Sequence, residues 1–201
     1  MIITKIEEKE RSKFRIYIDE EFAFILTDKE LETYQLIEQF SVTEELYDKI
    51  IEKVITPRAI EKALSILKYM DRCEKNLRMK LSQADYREDV IDHVIQYVKH
   101  YGYLDDERYA TAYIRSRMNH KSKLMLSSEL MQKGVTKTLI QQIIESEYSG
   151  EDEEDAEIIA IRKAISKKTK DPGALSGEEK QKLIASLYRK GFDLSKIKQN
   201  L

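Results

Sequence analysis

The chain has 201 residues, of which 41% are hydrophobic and 36% are charged, so its apolar content is sufficient for a folded core. Its 6 glycines and 2 prolines are too few for a turn-rich all-β protein, and the composition therefore favours a mostly helical fold. The single cysteine excludes a disulfide framework, and no run of about 20 apolar residues could cross a membrane. The opening residues also lack the pattern of a secretory signal. We therefore expect a cytoplasmic protein with no membrane partner.

Charge is distributed unevenly along the chain, whose formal net charge is −2. Residues 1–55 carry 8 Lys or Arg against 14 Asp or Glu, whereas residues 56–134 carry 15 against 11. A basic middle section favours a polyanionic partner. The excess is small, however, compared with the strongly basic composition of an autonomous DNA-binding domain.

The first 55 residues are predicted to begin with a small antiparallel β-sheet. Apolar and polar side chains alternate over residues 14–18, which is the period of a half-buried strand. Residues 22–26 supply a returning strand, and the isoleucines at positions 2, 3 and 6 supply a third. A sheet of this size needs a helix against its apolar face to be stable.

Two helices are predicted after the sheet. Thr27 and Glu30 have the spacing of a capping box, in which the carboxylate accepts a hydrogen bond from the Thr27 backbone amide. Thr43 is expected to cap the second helix. The side chains that we expect the first helix to bury are Leu31, Tyr34, Leu36 and Ile37.

From residue 56 onward, one hydrophobic template occurs three times. In each copy, two leucines four residues apart precede a large apolar residue and then two further aliphatic residues four apart. The copies are Leu77, Leu81, Tyr86, Ile91 and Ile95; Leu126, Leu130, Val135, Ile140 and Ile144; and Leu183, Leu187, Phe192, Ile197 and Leu201. Because residues four apart lie on one helical face, each copy predicts a helix, a tight turn and a second helix.

The same position in each turn is occupied by Asp85, Gly134 or Gly191, directly before the large apolar residue. This position predicts a left-handed residue at the end of the first helix. Glycine adopts that conformation freely, and Asp tolerates it better than most residues. The apolar residue that follows can then pack back on the helix that it leaves.

A third helix is predicted before each helix pair. In the first repeat, Thr56 is the expected N-cap and Pro57 the first helical residue. In the second repeat, alignment with the first assigns Tyr109, Ala112 and Tyr113, with the neighbouring Ile114, to the buried face. Repeats of this kind predict an elongated array of three three-helix repeats behind the small N-terminal segment. The predicted segments span residues 1–55, 56–104, 105–150 and 151–201.

No catalytic, cofactor or metal site is predicted. The glycines lack the spacing of phosphate-binding loops, and no Ser, Thr or Cys lies in a recognised nucleophile motif. Asp105 and the two acidic residues after it are favoured as a helix cap and first turn over a metal cluster. The acidic run at residues 151–157 is also favoured as a helix start, with a charged contact surface as the alternative. We expect a protein that is not an enzyme.

Basic residues in the middle of the chain are candidates for contacts with a polyanion or with an acidic protein surface. They are interleaved with tyrosines, including Tyr109, and the positions of Arg108, Arg115 and Arg117 are compatible with one side of a helix. Solvated lysines and arginines on an ordinary helical surface are the alternative. The candidates are Arg72, Arg78, Lys80, Arg108, Tyr109, Arg115, Arg117, Lys121, Lys123 and Lys133.

Two stretches of sequence resemble a known family. The segment GYLDDERYA at residues 102–110, followed by ELMQKGV at residues 129–135, is similar to the central signature of the bacterial regulatory protein RecX. The resemblance extends from about Pro57 to the C-terminus, with its three-helix repeats. The chain departs from the pattern at residues 120–124, HKSKL, where members often have Gly or Gly-Pro, so this turn is expected to have a different shape.

The resemblance implies a regulator of the RecA recombinase. Similar proteins lie in the groove of the RecA filament on single-stranded DNA, block its extension and limit strand exchange and the SOS response. By this resemblance the partners are the RecA filament and the DNA strand within it, and the protein acts as a monomer. The alternative is a direct DNA-binding module, because residues 126–144 fit a helix-turn-helix with Gly134 in the turn.

Overall fold

The computed structural model describes residues 1–149 and 155–201. The described chain divides into two compact units, residues 1–104 and residues 105–201. The first unit contains the predicted sheet and the first repeat. The second contains the second and third repeats.

The first unit begins with a three-stranded antiparallel sheet in the order β1-β2-β3, which confirms the predicted sheet. In its register Ile16 of the central strand pairs with Ile6 on one side and with Phe24 on the other. Ile16 and the neighbouring Leu26 are fully buried, so one sheet face belongs to the core. The strands are β1 (Ile3–Glu10), β2 (Lys13–Ile18) and β3 (Glu21–Thr27).

Helix α1 spans Asp28–Tyr34 and begins at the predicted capping box, where the Thr27 amide donates to the Glu30 carboxylate at 2.8 Å. It ends because Gln35 adopts a left-handed conformation with φ 51°. The prediction that Ile37 is buried is therefore wrong: the helical spacing stops before this residue, and its side chain is 65% exposed.

The second predicted helix continues into the first repeat without a break. Helix α2 (Glu44–Ile50) passes through a π-helical segment (Ile51–Ile55) into α3 (Thr56–Tyr69). Thr56 is therefore not an N-cap but a helical residue, whose amide donates to the Ile51 carbonyl five residues earlier. Proline clashes with the carbonyl four residues before it, and the wider π turn displaces that carbonyl so that the helix continues.

Sheet and helices of the first unit share one hydrophobic core. It contains the inner sheet residues together with the buried faces of α3, α4 (Glu74–Ser82) and α5 (Glu88–His100). Leu77, Leu81 and Ile91 of the repeat template are at most 1% exposed. The N-terminal sheet therefore covers its apolar face with the helices of the first repeat.

The second unit contains six helices within the part of the chain that the structure describes. Their burial follows the template, with Leu126, Leu130, Leu187 and Ile197 at most 1% exposed. The helices are α6 (Asp106–Arg115), α7 (Lys123–Lys133), α8 (Lys137–Tyr148), α9 (Ala156–Ser166), α10 (Gly177–Arg189) and α11 (Leu194–Gln199).

The three repeat turns have the predicted geometry. Asp85, Gly134 and Gly191 have φ values of 61°, 97° and 79°. In each turn the amide of the following apolar residue donates to the carbonyl of the last template leucine five residues earlier, at 3.1–3.4 Å. This bond closes the end of a helix, and it confirms that one turn is used three times.

The first helix of the second repeat buries only part of the face that was predicted. In α6 the buried residues are Ala110 and Ile114, whereas Ala112, which was predicted to be buried, is exposed. The equivalent buried pairs are Ala59 and Ala63 in α3 and Ile161 and Ile165 in α9. The sequence distance between equivalent residues in these first helices differs from the distance between equivalent residues in the helix pairs. Aligning both by the same distance therefore assigned wrong residues to the buried face of α6.

The second and third repeats meet at a close contact within the second unit. Ser122 is fully buried, caps α7 through the Met125 amide at 3.1 Å and donates its hydroxyl to the Lys190 carbonyl at 2.5 Å. A Cβ on Gly191 would lie 2.7 Å from Leu124 Cβ. The turn that departs from the family pattern thus forms a specific junction with the third repeat.

Candidate functional site

Three of the ten predicted contact residues lie around one tyrosine ring in the second unit, and a fourth, Lys121, is linked to it through Glu129. Tyr113 of α6 is flanked by Tyr109, with 6.2 Å between ring centroids, and by Arg117 and Lys133, whose charged groups lie 4.0 and 5.5 Å from its centroid. Its hydroxyl donates to Glu129 of α7 at 2.7 Å. We define the Tyr113 cluster as Tyr109, Tyr113, Arg117, Lys121, Glu129 and Lys133.

Local structure explains how the cluster forms. Helix α6 ends at Arg115, and the following turn bends back, with the Arg117 amide donating to the Ile114 carbonyl at 2.9 Å. This places the Arg117 guanidinium over the ring of Tyr113. Such a cation–π contact holds the arginine in place without neutralising its charge.

Glu129 organises the polar side of the cluster. One carboxylate oxygen accepts the Tyr113 hydroxyl, and the other forms an ion pair with Lys121. Desolvation acts to raise the pKa of Glu129, but the hydrogen bonds from Lys121 and Tyr113 outweigh it, so the pKa is lowered. Burial, followed by the bond to Glu129, raises the pKa of Tyr113 to about 12. At neutral pH the cluster therefore has three cationic side chains and one carboxylate.

Arg115 lies outside the Tyr113 cluster. Its guanidinium makes a two-point contact with Glu147 of α8, at 2.5 and 2.8 Å, and this carboxylate raises its pKa. The prediction that Arg108, Arg115 and Arg117 share one side of a helix fails for Arg117, although Arg108 and Arg115 both lie in α6. Arg117 follows the end of α6, and the two later arginines contact different neighbours.

The predicted residues of the first repeat do not form a comparable site. Arg78 contacts three carboxylates, those of Glu74, Glu88 and Asp92, at 2.6–2.9 Å. Its charge is therefore already balanced inside the protein. Arg72 donates to Asn76 at 2.8 Å, and Lys80 lies half-buried in the last turn of α4.

The remaining candidates lie at helix starts. The backbone amide of Arg108 donates to Asp105, which caps α6 as predicted. Lys123 is the first residue of α7, and its ammonium lies 4.3 Å from the centroid of the Tyr148 ring. In the acidic run at 151–157, residues 151–154 lie outside the described residues, and Asp155 caps α9. Among the described residues, no group of three or more His, Cys, Asp or Glu could hold a metal ion.

The two carboxylates that pair with Lys121 and Arg115 were not predicted as site residues. Glu129 and Glu147 lie 16 and 32 residues from their partners Tyr113 and Arg115. Glu129 is the first residue of the second stretch of the family signature, and this was the sequence feature by which it could have been identified. Nothing in the local sequence marks Glu147, because its pairing depends on how α6 packs against α8.

The helix-turn-helix geometry of the alternative hypothesis is present in α7 and α8. Gly134 is left-handed, Thr136 caps α8 through the Leu139 amide at 3.4 Å, and Lys137 is exposed. The same turn in the first repeat differs in chemistry, since Asp85 is paired with Lys9 and Arg15 of the sheet.

Comparison with known protein families assigns the repeats. Residues 59–97, 105–144 and 155–201 match the first, second and third three-helix domains of RecX, and together these matches cover more than half of the chain. The chain belongs to the RecX family. In the part of the chain that the structure describes, its helices are too short or too polar to span a bilayer.

Relatives in the RecX family align with nearly the whole chain. The protein called Regulatory protein RecX in Clostridium acetobutylicum is 30% identical over 97% of this chain and 92% of its own length. Its namesake in Caldanaerobacter subterraneus is 30% identical over 100% and 98%. A crystal structure of regulatory protein RecX has the same fold, with a TM-score of 0.65 and 23% identity over 99% of this chain and 98% of that one.

Proposed function

We propose that this protein regulates the RecA recombinase by binding the RecA filament on single-stranded DNA. Binding inhibits the ATPase activity of RecA, strand exchange and filament extension, and so modulates recombinational DNA repair and the SOS response. The protein acts in the cytoplasm as a monomer and without chemistry of its own. The observation that carries the proposal is the alignment with regulatory RecX relatives over almost the full length of both chains.

The Tyr113 cluster supplies a contact surface suited to this role. The cluster combines two tyrosine rings with three cations, Arg117, Lys121 and Lys133, and Glu129 pairs with one of them, Lys121. A surface of this kind attracts nucleic-acid phosphates or an acidic protein face, and aromatic rings add area for stacking. The cluster is therefore our candidate for the contact with the filament.

The proposal is tested by titrating the protein into RecA and following ATP hydrolysis with and without single-stranded DNA. We expect DNA-dependent hydrolysis to fall at substoichiometric amounts of the protein, because one regulator at a filament position affects many subunits. Unchanged hydrolysis at equimolar protein would refute the proposal.

A matched pair of variants tests the contact surface. Arg117→Gln removes a cation that lies over the Tyr113 ring and donates to the Ser116 hydroxyl, whereas Arg115→Gln removes one that Glu147 already neutralises. Both substitutions remove one positive charge, and the two residues lie at the last position of α6 and in the turn that follows it. We expect Arg117→Gln to raise the concentration for half-inhibition severalfold and Arg115→Gln to leave it nearly unchanged, at equal helical content by circular dichroism. Equal effects of the two variants would remove Arg117 from the contact.

Direct DNA binding through α7 and α8 is the second candidate, favoured by the exposed Lys137 at the start of α8. It predicts tight binding to naked duplex, with a steep dependence on salt. It also predicts that Lys137→Gln weakens that binding. Firm binding to the RecA filament combined with weak binding to duplex would favour the first candidate.

A further inference from the structure

A basic cavity of about 430 Å³ lies in the second unit, between the second and third repeats. It is bounded by the turn before α7 and by the C-terminal ends of α9 and α10. Met125, Ala164 and Phe192 form its apolar walls. The basic residues that line it, which we call the lysine pocket, are His120, Lys121, Lys163, Lys167, Lys168 and Lys190.

Within the described part of the chain, most of the charge in the lysine pocket is unbalanced. No carboxylate is among the described residues that line it. Lys121 is paired with Glu129, whereas Lys163, Lys167, Lys168 and Lys190 form no ion pair with any described residue. These four side chains are exposed. A mobile anion from outside could therefore reach them.

Helix dipoles explain why lysines occur at the ends of individual helices. They do not explain why lysines from several segments surround the same cavity. Cations are favourable near the C-terminal end of a helix, and α9 and α10 both have a lysine or arginine in their last turn. The Ser122–Lys190 bond then brings the end of α10 against the start of α7, so that cations from three segments surround one cavity. Like charges repel, and apolar walls strengthen the field between them. Such an arrangement is most stable when an anion is bound.

We propose that the lysine pocket binds phosphate groups of a single nucleic-acid strand. Lysine ammonium groups are compact point charges with three donors each, which suits phosphate oxygens approached from several directions. Lys121 belongs both to the pocket and to the Tyr113 cluster, so the pocket adjoins a cluster that contains two tyrosine rings. Single strands are bound by this combination of charge and stacking. The choice of a nucleic acid over other phosphates rests on the proposed function, whereas the anion chemistry rests on the pocket.

The test measures binding of a fluorescently labelled oligothymidylate by the full chain in the absence of RecA. The pocket variant is Lys163→Gln, Lys167→Gln and Lys190→Gln combined. The control combines Lys180→Gln, Lys182→Gln and Lys198→Gln, which lie in the same unit outside the pocket and remove the same charge. Thermal unfolding shows that both variants are folded. If the pocket variant does not fold, Lys167→Gln alone is compared with Lys198→Gln.

We expect the pocket variant to lose about tenfold or more in affinity at 0.1 M salt and the control to lose much less. The slope of log affinity against log salt should become shallower by about 2, since each lost phosphate contact on a single strand contributes about 0.7. Equal losses in both variants would mean a general charge effect and would overturn the site.

Two competitors identify the anion. Weak displacement of the strand by inorganic tripolyphosphate would support a strand site. Tight binding of tripolyphosphate alone would overturn it in favour of a small phosphate compound. The pocket variant could instead lose binding of poly-glutamate while its binding of oligothymidylate is unaffected. That result would assign the pocket to an acidic protein segment. The assay contains no RecA. Failure of the RecA titration would therefore refute the proposed function without touching this measurement, and the reverse also holds.

Discussion

Asp85 shows how one residue can serve both a turn and a tertiary contact. It occupies the left-handed position that glycine fills in the other repeats, with φ 61°. Its carboxylate pairs with Lys9 at 2.5 Å and with Arg15 at 3.1 Å, both on the sheet. The hydrogen bond from Lys9 is the largest cause that lowers the pKa of Asp85, and it outweighs desolvation. The side chain thus fastens the N-terminal sheet to the first repeat.

Replacing Asp85 with Asn tests this tie. Asn tolerates the left-handed conformation, so the substitution removes the charge and leaves the turn intact. We expect the free energy of unfolding at pH 7 to fall by about 1 kcal/mol, the upper end for partly exposed ion pairs. Urea unfolding of wild type and variant measures the difference.

The contribution of the Asp85 carboxylate to stability should depend on pH in a predictable direction. A carboxylate whose folded pKa is lowered stabilises the fold above its unfolded pKa of about 3.9, and the contribution is lost as the pH falls through the folded pKa. The difference in the free energy of unfolding between wild type and Asp85→Asn should therefore be constant from pH 7 to about 5. It should disappear as the pH falls below the ordinary Asp pKa of about 3.9. Asp85→Gly, which keeps the turn, should behave in the same way. A gap that persists at acidic pH would contradict the ion-pair explanation.

Residue types were easier to predict than residue partners. The left-handed position of Asp85 follows from its place in the repeat, because the turn is local. Its partners Lys9 and Arg15 lie 76 and 70 residues away, and only the docking of the sheet on the helices brings them together. Arg117 was likewise a candidate by type, but its contact with Tyr113 depends on where α6 ends.

At the scale of elements, the junction of α7 with the turn after α10 sets the packing of the second repeat on the third. Gly191 is left-handed at φ 79°, and a Cβ there would lie 2.7 Å from Leu124 Cβ and 3.1 Å from Ser122 Oγ. Glycine is thus required at this position for two separate reasons, the backbone conformation and the close approach of α7.

Gly191→Ala is expected to destabilise the protein by about 2–4 kcal/mol, because the conformational cost of about 1 kcal/mol adds to overpacking of about 1–3 kcal/mol. Gly102→Ala is the control, since Gly102 is left-handed at φ 70° but has no atom within 4 Å of the added carbon. It should cost only about 1 kcal/mol. Thermal and urea unfolding compare the two, and equal losses would show that α7 moves aside without cost.

The helical boundaries show where the sequence pattern was insufficient. Thr56 and Pro57 together form a strong local start signal, yet the helix runs through them because the π-helical turn at Ile51–Ile55 removes the clash. Packing decides this: Ile50, Ile55 and Ala59 are buried in the same core, which favours a continuous helix over a break. The repeated leucine and isoleucine template was predictable because its spacing is local and identical in each copy.

At the scale of the molecule, the first unit is held together by one core that contains both the sheet and the first repeat. One buried cluster contains apolar residues from Ile3 in β1 to Leu104 after α5. Lys9 and Arg15 reinforce it through Asp85, and Arg58 of α3 donates to the Ile25 carbonyl at 3.0 Å. The sheet therefore depends on helices that follow it in the chain, although residues 1–55 differ from the repeats in composition and in predicted structure.

This dependence predicts how fragments behave. A fragment of residues 1–104 retains the complete core and should unfold cooperatively in urea, with a free energy of roughly 5 kcal/mol or more, as expected for a domain of about 100 residues. A fragment of residues 1–55 lacks α3, α4 and α5, so the apolar face of its sheet would be exposed, and we expect no cooperative transition. Circular dichroism and tyrosine fluorescence, which is free of tryptophan signal because the chain has none, measure the unfolding of both fragments. Cooperative unfolding of residues 1–55 alone would show that the sheet with α1 and α2 is an independent domain, and that its packing on the first repeat is a contact between two folded bodies.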